Sequence, residues 1–233
     1  MSGTLYGIGI GPGDPELITL KAHAILRRVP VIAYPAPEQG ESLARRIVAA
    51  HLPGGQREIV IRMPLDAARF PARDVYDGAA HEIRTTLDRG DDVAALCEGD
   101  PFLYGSFAYL FARLAATHKV IVVPGVSSLT AAAAAAGQPL ALQRDVLTVI
   151  PAPLPDDEIR RRLIATDSAA LMKLGRHVGR VRNLLGELGL SQRAHYIEHA
   201  TMTSEKILPL AEAPDPAPYF SLILVVSEGA LRR

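Results

Sequence analysis

The chain has 233 residues, 48% of them hydrophobic and 21% charged, which suffices to bury one large core or two smaller ones. Lys plus Arg and Asp plus Glu balance at 25 each; a protein gripping nucleic acid through its phosphates carries a basic excess, and none is present. Cys97 is the sole cysteine, which excludes an intrachain disulfide and argues against structural zinc. The start, MSGTLYGIGIG, is no secretory signal, and no apolar run nears the roughly 20 residues of a membrane span, so the chain reads as soluble and cytoplasmic.

Short β-rich runs alternate with helical patterns, which predicts a parallel α/β sheet. Strand Leu5–Ile10 passes through a Gly/Pro turn into a helix over 15–27. Strand Val29–Tyr34, helix Ser42–His51 and strand Glu58–Arg62 follow, then a longer helix over 72–89 that Gly90 closes. Strand Asp92–Leu96, a helix over 105–116, strand Lys119–Val123 and a helix over 127–136 complete the first half, which Gly137-Gln138-Pro139 ends. The pattern restarts with strand Val146–Ile150, helix Asp156–Ile164, strand Ala169–Lys173, helix Val178–Gly186 and strand His195–Glu198. Lys206–Leu210 and Tyr219–Val226 read as an antiparallel pair joined by the Pro-rich Ala213–Pro218 loop. A domain boundary is expected near residues 140 to 145.

Three turns carry chemistry. GIGIGPGDPELITLKA (Gly7–Ala22) resembles a dinucleotide loop but has Pro12 where that pattern needs its third glycine; it either lets backbone approach a ligand or is a tight turn with Asp14 capping the helix. CEGDPFLYGS (Cys97–Ser106) lies at the carboxyl end of the fourth strand, where ligands of open α/β sheets bind. Asp100 there either accepts hydrogen bonds from a ribose or amino group, or caps a helix with Tyr104 in the core. VVPGVSSLTAAAAAAG (Val122–Gly137) ends a strand in Pro-Gly and opens a helix with Ser127 and Ser128, as ligand contact or plain N-cap. All three should gather at one edge of one sheet, which points to a ligand cleft.

In order and spacing, GPGDP, EGDPxxYG and VPGVSS resemble the class III tetrapyrrole methyltransferases, which build corrins and sirohaem. The resemblance continues through LMKLGRH (Leu171–His177), YIEHATM (Tyr196–Met202) and DPAPYFSLILV (Asp215–Val225), and so spans nearly the whole chain. AYP at Tyr34, CEGDPFLYGSFAYL, DVLTVIPAPLP and MKLGRH are similar to the branch that methylates C-20 of precorrin-2. The resemblance implies an α/β fold of two α/β domains, 1–141 with a mainly parallel sheet and 142–233 with a mixed sheet. It also implies S-adenosyl-L-methionine in the cleft between them and a homodimer, without metal. The implied cofactor contacts are Pro12, Gly99, Asp100, Leu103, Ser127, Ser128, Met172 and Ala200, flanked by Glu98 and Thr201.

The sirohaem branch carries an aspartate where Pro35 stands here, which argues against a uroporphyrinogen methylase and removes an obvious base. Candidates for proton transfer are Tyr104, Glu98 and His199. Methyl transfer from a sulfonium needs mainly positioning and exclusion of water, which suits a chain without a catalytic triad or metal cluster. The implied substrate is precorrin-2, or cobalt-factor II of the anaerobic route. Its carboxylates would pair with cations among Arg62, Arg144, Lys173, Arg176 and His177, each of which could equally be a solvated surface charge. A non-catalytic S-adenosylmethionine-binding protein is the alternative of a different class.

Overall fold

In a computed structural model, residues 2–64, 73–227 and 229 are described, and they divide into two compact units, Met1–Ser127 and Ser128–Arg233. The first unit is a five-stranded sheet in the order β3-β2-β4-β1-β5, every pair parallel. Its strands are β1 (Leu5–Gly9), β2 (Val31–Pro37), β3 (Arg57–Met63), β4 (Val93–Cys97) and β5 (Val120–Val123). The period of two sorts the residues onto two faces. Tyr6, Ile8, Ile10 and Ile32 pack with Ala22, Ile25 and Leu26 of α1 (Leu20–Leu26) and with Ala44 and Ile47 of α2 (Leu43–Ile47). Leu5, Val31, Ala33 and Ala95 face Ile83 and Leu87 of α3 (Arg73–Asp88) and Phe107, Leu110 and Leu114 of α4 (Phe107–Leu114).

Two predicted helices are shorter than their patterns. The run over 15–27 breaks into a 3-10 turn, Pro15–Leu17, and α1, because Thr19 Oγ1 accepts from Ala22 N (3.2 Å) and starts the helix afresh. Ser42–His51 becomes α2 and a 3-10 turn, Ala49–His51. The expected first residue of α3, Ala72, lies outside the described residues.

The second unit is a mixed sheet, β6-β7-β10-β8-β9, built from β6 (Leu147–Pro151), β7 (Ser168–Met172), β8 (Ala194–Glu198), β9 (Lys206–Pro209) and β10 (Ser221–Val225). Its outermost strands, β6 and β9, pair parallel with β7 and antiparallel with β8, and β10 is antiparallel to both its neighbours. One face packs Ala169, Leu171, Ile223 and Val225 on α6 (Asp156–Ile164) and α7 (Val178–Glu187). The other packs Ala170, Leu222, Leu224 and Ile197 on Leu129, Ala132 and Ala133 of α5 (Ser128–Ala135). By this packing α5 groups with the second unit, whereas the chain pattern counts it with the first. Its alanines leave little side chain between helix and sheet.

The expected antiparallel pair of the last two strands does not form. β9 and β10 each pair with β8, which lies between them. The connection holds a 3-10 turn, Leu210–Glu212, and a Pro-rich stretch. That is too long for a tight hairpin and long enough to step over a strand.

Glu198 ends β8 with its carboxylate buried. Oε2 accepts from the Tyr196 hydroxyl (2.7 Å) and Oε1 pairs with Lys206 Nζ (2.9 Å), whose side chain is 63% exposed. Burial alone would raise its pKa; these bonds and the Lys206 charge outweigh burial and leave it below the ordinary 4.5. Its stabilisation is therefore full above pH 4.5 and is lost as pH falls through the lowered folded value. Glu198→Gln should cost roughly 1–3 kcal/mol at pH 7. In thermal melts, the gap in Tm from the parent should narrow as pH drops below 4.5.

Candidate active site

In the first unit, β1 lies between β4 and β5, so the three glycine turns leave one sheet edge side by side. The helices after β1 and β4 pack on opposite faces, which makes this edge a switch point of the kind where open α/β sheets bind ligands. The turns touch backbone to backbone. Gly99 N donates to Gly11 O (2.8 Å) and Ile10 N to Cys97 O (3.1 Å). A Cβ on Gly125 would sit 2.1 Å from Gly99 O and 2.7 Å from Gly9 Cα, so no side chain fits there. Gly99 itself has φ +67°, a region open to glycine and unfavourable for most other residues.

Asp100 locks this junction. Its Oδ2 accepts from Gly125 N (3.0 Å) and its Oδ1 from Phe102 N (2.9 Å), tying the turn after β4 to the turn after β5. The alternative of a helix cap fails, since α4 begins only at Phe107 behind Ser106. Asp14, by contrast, does cap: its Oδ1 accepts from Glu16 N (2.8 Å). Pro12 is buried, Ser127 and Ser128 are half-buried, and Leu103 is partly exposed beside Tyr104. Tyr104, at 46% exposure, is not a core residue.

Glu98 follows β4 directly. Burial pushes its carboxyl above the ordinary value, while its own N–H and that of Ala44 in α2 favour the charged form. The neighbouring Cys97 is buried, and burial lifts its thiol to about 11.

In the second unit, β7 and β8 run in the same direction, so Met172 and Lys173 share a sheet edge with His199, Ala200 and Thr201. Thr201 N donates to Glu205 Oε2 (2.6 Å), and His199 N to Phe220 O (2.8 Å). Arg176 is exposed, and His177 sits at the N-cap position of α7, its pKa lowered by burial and by the charges of Arg180 and Arg176. Arg144 does not join this group. It precedes β6, which is parallel to β7, and so lies at the opposite edge.

Backbone strain falls on the same loops. Tyr104 (φ 55°), Lys173 (59°), His199 (52°) and Thr201 (68°) all adopt left-handed backbone; among the described non-glycine residues only Gln143 (42°) does so elsewhere. Such conformations persist where surrounding structure enforces them, most often at ligand sites.

A family model described as Tetrapyrrole (Corrin/Porphyrin) Methylases matches residues 4–214. The chain belongs to that family. It is 40% identical to the cobalamin biosynthesis protein CobIJ of Mycobacterium tuberculosis over 99% of its own length, and spans about half (47%) of that relative. It is 38% identical to a precorrin-2 C(20)-methyltransferase of Sinorhizobium, covering 96% of this chain and 95% of the relative. A solved tetrapyrrole methylase, uroporphyrin-III C-methyl transferase from Thermus thermophilus complexed with S-adenyl homocysteine, superposes with a TM-score of 0.71. It has 25% identity and covers 99% of this chain and 94% of that one.

Sequence patterns did not bring Arg45 and Arg46 together with Arg62. Arg62, an expected substrate cation, donates from Nη1 to Pro37 O (3.0 Å) and Gly40 O (3.1 Å), and lines a cavity of about 510 Å³ with Arg45 and Arg46. The available signal was the alternation of Glu58, Val60 and Arg62 on one face of an edge strand.

Gly125→Ala should destabilise the first unit by about 1–3 kcal/mol, because the new methyl meets backbone that cannot rotate away. Urea unfolding of the variant beside the parent measures this; an unchanged midpoint would show the junction to be looser than described.

Proposed function

We propose that this chain transfers a methyl group from S-adenosyl-L-methionine to C-20 of precorrin-2, a step of corrin biosynthesis. The observation that carries the reading is the 38% identity to a precorrin-2 C(20)-methyltransferase across nearly the full length of both chains. The site supports it in kind: a glycine-walled edge offers backbone groups and little else, which suits binding and orientation more than covalent chemistry.

The cofactor supplies a methyl on a sulfonium, which leaves as a thioether when the C-20 carbon attacks. The chain's part is to hold both reactants and to take up a proton. Pro12, Gly99, Leu103, Ser127 and Ser128 of the first unit and Met172, Ala200 and Thr201 of the second are the proposed cofactor contacts. The junction fits this assignment, because the Gly9–Gly99–Gly125 approach keeps side chains off the edge where a ligand would lie. Asp100 has each carboxylate oxygen engaged by a backbone N–H, so its proposed contribution is to shape the turn as well as to contact cofactor.

Among Tyr104, Glu98 and His199, Glu98 is the proposed base. A carboxylate raised by burial is a stronger proton acceptor than an ordinary one. Lys173, Arg176 and His177 are proposed to meet substrate carboxylates. A cytoplasmic homodimer is the proposed assembly; among the described residues no helix is long and apolar enough to cross a membrane.

Incubation with S-adenosyl-L-methionine and precorrin-2, metal-free or cobalt-loaded, should yield a product with one added methyl, located at C-20 by NMR, the metal-free form reacting faster. Measurable cofactor binding without transfer to either form would sink the reading. Glu98→Gln should lower kcat about a hundredfold or more. Because the base must be ionised, parent activity should fall as pH drops through the raised Glu98 value, and this acid limb should vanish in the variant. A rise in KM for S-adenosyl-L-methionine with kcat held would assign Glu98 to cofactor binding instead.

A further inference from the structure

Within the first unit a cavity of about 510 Å³ is lined by residues of β2, α2 and the edge strand β3. That volume is within the range of small-molecule sites. Three guanidinium groups line it, those of Arg45, Arg46 and Arg62, against two carboxylates, Glu41 and Glu58.

Three guanidiniums against two carboxylates leave the lining a formal excess of one positive charge. Glu58 is already engaged: Oε2 accepts from the Tyr34 hydroxyl and Oε1 from Arg45 Nε (3.0 Å). The second bond uses only Nε of Arg45 and leaves its two terminal amino groups. Arg62 is oriented by Pro37 O and Gly40 O through Nη1, and among the described residues none pairs with its Nε or Nη2. Arg46 is exposed, and among the described residues no carboxylate pairs with Arg46 or Arg62. Arg45, Arg62 and Tyr34 all line the same cavity. Ser42, whose Oγ donates to Pro35 O (2.5 Å), lines the cavity as well.

Oriented arginine forks suit planar, bidentate acceptors better than point charges. We infer that this bay is a carboxylate-binding site, and that its ligand is the acetate and propionate arms of the tetrapyrrole substrate. The second half of this inference rests on the methyltransferase reading above; the first half does not. The bay thus adds Arg45 and Arg46 to Arg62 as residues that set substrate affinity without touching the reacting carbon.

Uroporphyrin III, a stable tetrapyrrole with carboxylate arms, is the probe, followed by its fluorescence on titration with the full chain. Arg46→Gln is the decisive variant, because Arg46 is exposed and pairs with no described carboxylate whose loss would disturb the fold. It and Arg62→Gln should each weaken binding about tenfold, the worth of one charge-assisted hydrogen bond, with S-adenosyl-L-methionine affinity unchanged. Arg89→Gln removes an equal charge from an exposed position far along the chain and should change nothing. Unaltered affinity in Arg46→Gln, or equal weakening in Arg89→Gln, overturns the site. Arg46-dependent binding that excess citrate abolishes, in a chain that methylates neither form of precorrin-2, would uphold the carboxylate site and overturn the tetrapyrrole assignment.

Discussion

The first unit depends on the approach of three backbones at one sheet edge. Gly9, Gly99 and Gly125 come so close that a single added methyl would collide with main chain, and Asp100 fastens the contact with both of its oxygens. Buried N–H groups must find acceptors. A charged carboxylate meets two at once, more strongly than a neutral side chain would. The price of this junction is glycine at positions where the chain would otherwise gain side-chain contacts.

From this junction the rest of the unit follows in order. β1 can run between β4 and β5 only if the turns leaving them pass one another, and the glycines make that possible. Helices then fall on opposite faces, since the chain leaves β1 towards α1 and β4 towards α4. In the second unit a different constraint acts. Glu198, Tyr196 and Lys206 form a polar anchor at the end of β8, and directly after it the chain takes up the left-handed backbone of His199 and Thr201. Both units therefore place strained or glycine backbone immediately beyond a well-satisfied strand end.

Much of this was legible from residue order. Alternation in β1, with Tyr6, Ile8 and Ile10 on one face and Leu5 on the other, predicts a strand buried on both sides, and the turns after it carry their own glycine signatures. Pairing was less legible. β9 and β10 look like neighbours because they are consecutive, yet β8 separates them, a choice made by the whole sheet that no local pattern records. Asp100 could be recognised as important but not as a fastener, because its partner Gly125 is 25 residues away. The arginine bay was illegible for the same reason: Arg45 of α2 and Arg62 of β3 line one cavity only in the folded unit. Arg144, expected with the other cations to meet substrate carboxylates, is separated from Lys173–His177 by the length of a strand.

The burial of Cys97 has a practical consequence. The chain's one thiol is enclosed at the end of β4, and its acidity is suppressed to about 11, so at neutral pH it offers almost no thiolate to an alkylating reagent. In the native molecule Cys97 should therefore react slowly with maleimides. A cysteine introduced on any exposed loop becomes the single address for a fluorophore or spin label, without the need to remove a native residue from the core.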